Sequence, residues 1–258
     1  DQYPYGCTEQ VTSKAMPLLY LSSVAQSLGL GRGPQVEERI QSAIQRVLTR
    51  QASNGAFGAA IRVSLVKAGD DVQVAYVNPA YMANVYQLKT ELEPISDLLA
   101  TALGAETSFG SEKGLSVKKL RKYRYMAMMP YFKDTVELAS YASYDEALTK
   151  VEAALAQQDR VNKVYRVDVT GKNETLFGVA FTSGDSSDAN ISSILDTEAL
   201  SAAAHFPYDF IVTDSGEVLM LNGKFRIAQS FPDLTMGTFM KISSAPNDIR
   251  DALREILK

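Results

Sequence analysis

One cysteine and one histidine occur in 258 residues. A lone Cys7 excludes an intrachain disulfide and any multi-cysteine metal site. A Ser-His-Asp or Cys-His arrangement has to use His205, and zinc needs several His or Cys ligands that this chain does not supply. These two counts remove most catalytic designs open to a chain of this size; the chain is read as a non-enzyme, with no metal, cofactor or catalytic residue assigned. Long apolar runs are also missing: no stretch of eighteen apolar residues occurs, so no membrane-spanning helix is expected. Neither sign of charge dominates, with 26 basic and 30 acidic residues and a formal net charge of -4, which gives no global attraction for nucleic acid or anionic lipid. A Gly-rich phosphate loop of the Walker type and a spaced carboxylate pair are absent as well. The chain opens at Asp1 without a basic, apolar leader, which reads as a mature product or as a piece of something longer.

Nearly half of the residues are apolar, enough to bury one large core or two modest ones. Residues 8–28 and 36–51 carry apolar positions at helical spacing, the second with a clean stripe of Val36, Ile40, Ala43, Ile44, Val47 and Leu48. From Ile61 the pattern alternates, predicting a hairpin that turns at Ala68-Gly69-Asp70 and is closed by Asn78-Pro79. Helices are expected over 81–88, 95–103, 144–157 and about 197–204, and strands over 164–169 and 176–181. A second hairpin spans 210–221 with its turn at Asp214-Ser215-Gly216. Residues 224–230 and 239–242 are expected to extend the sheet, and a closing helix begins at Pro246.

The order of these parts predicts an α+β fold: an N-terminal helical pair followed by two related β-hairpin/helix modules, the first incomplete. Each hairpin is followed by an Asn pair, Asn78-Pro79 or Asn222-Gly223, and then by a helix opening at Glu93-Pro94 or Ala245-Pro246. The expected units are 1–58, 59–115 and 116–258, with a junction near 58–61 that reads as a fusion of unrelated segments.

Cys7 and Gln10 stand three apart at the expected start of the first helix, which brings both side chains onto one face, and a helix N-terminus favours the thiolate that attacks the Gln carbonyl. Loss of ammonia then leaves a thioester. The other reading is a free thiol and a solvated glutamine. The wider string Tyr3-Pro4-Tyr5-Gly6-Cys7-Thr8-Glu9-Gln10, with Thr12-Ser13 and Arg50-Gln51 before Asn54-Gly55-Ala56-Phe57-Gly58, resembles the opening of the thioester domain of bacterial alpha-2-macroglobulins. That resemblance implies a Cys7–Gln10 thioester that acylates a nucleophile on a trapped protease, and a periplasmic or secreted location.

Residues 61–258 resemble the domain-of-unknown-function-302 family, through the hairpin and Asn78-Pro79, Met129-Pro130-Tyr131-Phe132, the helix from Tyr144 to Leu155, and Phe225-Arg226-Ile227-Ala228 with Phe231-Pro232. The resemblance implies a fold and no activity. Within this part, Tyr125, Met126, Met128, Met129 and Tyr131 fit either the lining of a small-ligand pocket or a core strand in which Met fills apolar gaps. Lys118, Lys119, Arg121, Lys122 and Arg124 read as a phosphate contact or a solvated face, and His205 as a satisfied structural residue. Three functions follow: a macroglobulin-like covalent trap for proteases or other nucleophile-bearing targets, a non-catalytic periplasmic module binding a small ligand or partner, and, favoured least, an enzyme using acids and tyrosines.

Overall fold

The computed structural model describes residues 61–68, 71–89, 92–103, 107–110, 114–169, 171–197 and 201–258. The thioester candidates Cys7 and Gln10, the helices expected over 8–28 and 36–51, and the turn residues Gly69 and Asp70 lie outside the described residues.

The architecture is α+β. Strands β3 (Val136–Ser140), β4 (Val161–Asp168), β5 (Thr175–Phe181), β6 (Tyr208–Val212) and β7 (Glu217–Met220) form a five-stranded antiparallel sheet in the order β3-β7-β6-β5-β4. The hairpin β1 (Val63–Ala68) and β2 (Asp71–Tyr76) is a separate two-stranded sheet. Helices α1 (Pro79–Val85), α2 (Glu93–Leu103) and α3 (Val117–Leu120) precede the large sheet. Helix α4 (Tyr144–Leu155) joins β3 to β4, and α5 (Asp188–Leu195) follows β5. Helices α6 (Gly223–Ser230), α7 (Met236–Lys241) and α8 (Ala245–Ile256) follow β7.

Strand β6 is buried along its whole length, and the alternation of its side chains divides the core in two. Tyr208, Phe210 and Val212 face a cluster with Phe177, Val179 and Phe181 of β5, Val151 of α4, and Ile249 and Leu253 of α8. Ile211 and Leu176 face the opposite way, into a cluster with Met82 and Val85 of α1, Ile95 and Leu99 of α2, and Tyr123, Phe132 and Phe225. Residues 61–103 therefore cover one face of the sheet and the later helices cover the other. The face of Ile211, covered by residues 61–103, also carries a polar row: Tyr165 pairs with Gly178, and Gly178 with Asp209, across β4, β5 and β6. Tyr165 Oη donates to Asp209, and the Arg62 guanidinium forms a buried ion pair with the same carboxylate. That ion pair ties the start of the small hairpin to the large sheet.

Both hairpins lead into an Asn-capped helix: Asn78 Oδ1 accepts from Tyr81 N–H at 3.1 Å, and Asn222 Oδ1 accepts from Lys224 N–H at 3.1 Å. Tyrosines serve the opposite helix ends, where carbonyls lack intrahelical partners. Tyr81 and Tyr123 donate to the carbonyls of Gln229 and Ala228 at the end of α6, and Tyr141 to Leu257 O just past α8.

Several expectations are corrected. Residues 224–230 and 239–242 do not extend the sheet; 224–230 lie in α6, and 239–242 form the end of α7 and its C-cap at Ile242. The run 120–131 is not a core strand but the end of α3 followed by turns. The helix expected near 197–204 is replaced by α5 upstream and a 3-10 turn at Ala202–His205.

Candidate functional site

Two helix N-termini converge at one end of the sheet. Helix α6 begins at Asn222-Gly223 because Asn222 supplies the cap, and α8 begins at Ala245-Pro246 with proline in its first turn. They meet through Gly223, where an added Cβ would lie 2.9 Å from Pro246 Cα, so only glycine permits this approach. Beside them the turn-rich segment 124–134 folds over the ends of β3 and β7. Together these elements enclose a concavity of about 510 Å³.

Its lining is cationic and partly apolar. Arg124, Lys224 and Arg250 contribute positive charge against one carboxylate, Asp134, and Met128, Met129, Pro130, Val136, Met220 and Pro246 contribute apolar surface. The Arg124 guanidinium sits 4.8 Å from the centre of the Tyr131 ring. Asp134 is held by its own turn, accepting from Tyr131 N–H at 2.9 Å. Arg250 shares Asp251 at 2.7 and 3.1 Å. Lys224 makes no ion pair among the described residues. The positive ends of two helix dipoles lie beside the same space, while their first-turn N–H groups are already taken: Lys224 N–H donates to Asn222 Oδ1, Ala245 N–H to Ile242 O and Asn247 N–H to Ser244 O, and Pro246 has none.

Met128 stands at the rim with its residue 98 % exposed and a φ of +69°. An unbranched apolar side chain in left-handed backbone and open water gains nothing from packing, and such residues concentrate at sites where the chain meets something else. Of the pocket residues expected from sequence, Met128, Met129 and Tyr131 line this concavity. Tyr125 does not: its hydroxyl donates to Leu234 O and its ring stacks on Phe239. Met126 is 40 % exposed and lies outside it. Of the basic run, Arg124 alone reaches the site; Lys118, Lys119 and Lys122 are solvated, and Arg121 donates to Leu88 O and Gln87 O. Lys224, Asp134 and Arg250 were not singled out by sequence pattern. The signal for Lys224 was the Asn222-Gly223 pair, which marks a helix start as readily as a hairpin turn.

His205 is buried and fully engaged. Arg226 Nη1 donates to its Nδ1 at 3.2 Å, which leaves the proton on Nε2, 2.8 Å from the Tyr208 hydroxyl. Burial, with Arg226 and Arg62 nearby, holds its pKa well below the usual histidine value. A neutral, enclosed imidazole of this kind orders structure and has no access to a substrate. No cluster of three or more His, Cys, Asp or Glu able to hold a metal occurs among the described residues, and none of the described helices is long and apolar enough to cross a membrane.

Comparison with models of protein families, with curated proteins and with solved structures finds no match to this chain.

Proposed function

We propose that residues 61–258 form a non-catalytic binding module that takes an anionic ligand with an apolar portion in the concavity between α6, α8 and the 124–134 segment. The observation that carries this reading is the convergence of Arg124, Lys224 and Arg250 with two helix N-termini around a space lined otherwise by methionine, valine and proline. Anionic oxygens would meet the side chains of Arg124, Lys224 and Arg250, and an apolar tail would lie along Met128, Met129 and Met220. The test is calorimetric titration with carboxylates, phosphate monoesters and sulfates of graded alkyl length. Saturable binding that tightens with alkyl length and weakens about tenfold or more in Lys224→Gln supports the reading. Binding that is absent, or indifferent to Lys224→Gln and Arg124→Gln, overturns it.

The matching order of parts supports a duplicated origin for this module, β1-β2-α1-α2 standing as an incomplete copy of β6-β7-α6-α8 with Asn78 and Asn222 as equivalent caps.

A second reading rests on the string Tyr3 to Gln10: the N-terminal segment, a helical pair in this reading, carries a macroglobulin-like Cys7–Gln10 thioester for covalent capture of proteases, in a periplasmic or secreted setting. Intact mass decides it. A formed thioester lowers the mass by one ammonia and yields a free thiol on methylamine treatment; a full-mass chain whose Cys7 already reacts with a thiol reagent sinks it.

A further inference from the structure

Behind the concavity, the other side of α6 faces a cluster of buried polar groups. Arg226 is 3 %, Gln229 1 %, His205 2 %, Asp209 6 % and Arg62 9 % exposed. The charges do not balance. Asp209 neutralises Arg62, but Arg226 has no carboxylate of its own among the described residues. Its guanidinium donates to His205 O, to His205 Nδ1 and to Ser230 Oγ, all neutral acceptors. The two arginines lie within electrostatic reach of each other, and the Tyr86 ring lies within reach of both. One net positive charge is thus enclosed in a region of low dielectric, where an uncompensated ion is very costly.

Three buried donors that belong to these neighbouring groups have no acceptor among the described residues: Arg62 Nε–H, Arg226 Nε–H and the Tyr86 hydroxyl. Tyr86 is 1 % exposed and held by stacking on Phe132 at 5.1 Å, so its hydroxyl has no route to bulk water. Native interiors rarely leave one such donor unpaired; three of them around an excess charge have a common explanation. We propose that Arg62, Arg226 and Tyr86 bind a small monovalent anion of halide size inside the molecule. A water molecule accepts hydrogen bonds from two donors and leaves the charge in place. A halide accepts from all three and cancels it. Tyr86, Phe132 and Phe225 pack on one another with ring centres 5.1 to 6.4 Å apart, which closes the Tyr86 side of the site with an aromatic wall and suits a compact anion. Gln229 Oε1, a buried acceptor without a partner, is served by a water and stands outside the anion's shell.

The test uses the full chain at fixed ionic strength, with gluconate replaced stepwise by bromide. The unfolding midpoint rises by roughly 3–5 °C per tenfold increase in bromide above its dissociation constant, and crystals grown in bromide show an anomalous peak between the two guanidinium groups and Tyr86 Oη. Arg226→Met abolishes the bromide dependence; Tyr86→Phe, which removes one donor and keeps the ring stack, weakens it. Identical midpoints in bromide and gluconate, a bromide effect that survives Arg226→Met, or density fitted by water only would overturn the proposal.

Discussion

Tyr165 reaches Asp209 because residue 178, between them in the sheet, has no side chain. A Cβ on Gly178 would stand 2.3 Å from the Tyr165 ring, a contact that no rotamer adjustment of alanine relieves. Gly178→Ala is expected to cost about 2–3 kcal/mol by overpacking, measured by urea unfolding. Tyr165→Phe, which loses only the hydrogen bond, is expected to cost less, and Gly178→Ala in that background remains costly because the ring is still there. Titration at the residue scale is set by a half-buried carboxyl and a buried imidazole of opposite sense. Burial pushes the Asp188 carboxyl up to about 6, against the lowering effect of its bond from Phe181 N–H. A raised carboxyl pKa contributes stability that is complete below about pH 4 and is lost as pH rises through 6. Asp188→Asn is therefore expected to stabilise the chain above pH 6 by about 1 kcal/mol, discounted for the partial exposure of the group, and to make no difference near pH 4. His205, with its lowered pKa, acts in the other direction: its contribution is complete above the ordinary histidine value and falls away as pH drops below about 6.5. Urea midpoints from pH 4 to 8 in wild type and Asp188→Asn separate the two slopes.

At the scale of the element, the ends of helices carry much of the specification. Tyr141 leaves β3 and donates to Leu257 O at 2.7 Å, serving a carbonyl that follows the last turn of α8. Tyr141→Phe is expected to lower stability by about 1 kcal/mol, with the loss concentrated in hydrogen-exchange protection of residues 253–257. Element by element, legibility in the sequence followed how one-sided each segment is. Helix α8 buries Ala245, Pro246, Ile249, Ala252 and Leu253 along one face and keeps Asp251, Arg254 and Glu255 exposed on the other, so its period is plain. Helix α6 buries Arg226 and Gln229 alongside Phe225, Ile227 and Ala228; with no polar face, its Lys-Phe-Arg-Ile start shows only the period-two alternation of a strand. Helix α5 buries Ile191 and Leu195 alone among serines, and its capping Ser187 was the only local sign of it. Strand β3 is five residues long with a bulge between Glu137 and Ala139, which breaks the alternation. The concavity follows the same logic. Met128, Met129 and Tyr131 were visible as a dense apolar run, whereas Lys224 and Arg250 enter the site only through the packing of α6 on α8, which depends on Gly223 and has no local pattern.

For the molecule as a whole, the Arg62–Asp209 pair is a buried polar contact between the start of the small hairpin and the large sheet, and its charge setting makes the two halves of the pair unequal. Removing one member of a buried pair ordinarily costs about 3–5 kcal/mol, because the other is left charged and unpaired. Asp209→Asn leaves Arg62 and Arg226 facing each other in a closed region with no carboxylate, and the full penalty of that order is expected. Arg62→Met leaves Asp209 within electrostatic reach of Arg226, so the remaining charges cancel and the cost is expected to be smaller. Urea unfolding of the two variants in halide-free gluconate buffer should therefore rank Asp209→Asn below Arg62→Met, although both delete the same ion pair. Equal losses would mean that Arg226 takes no part in the balance, and the opposite ranking would mean that the hairpin is held by the aliphatic stem of Arg62 rather than by its charge. The expected ranking makes the enclosed positive charge, rather than the single ion pair, the quantity that governs how residues 61–103 seat on the sheet.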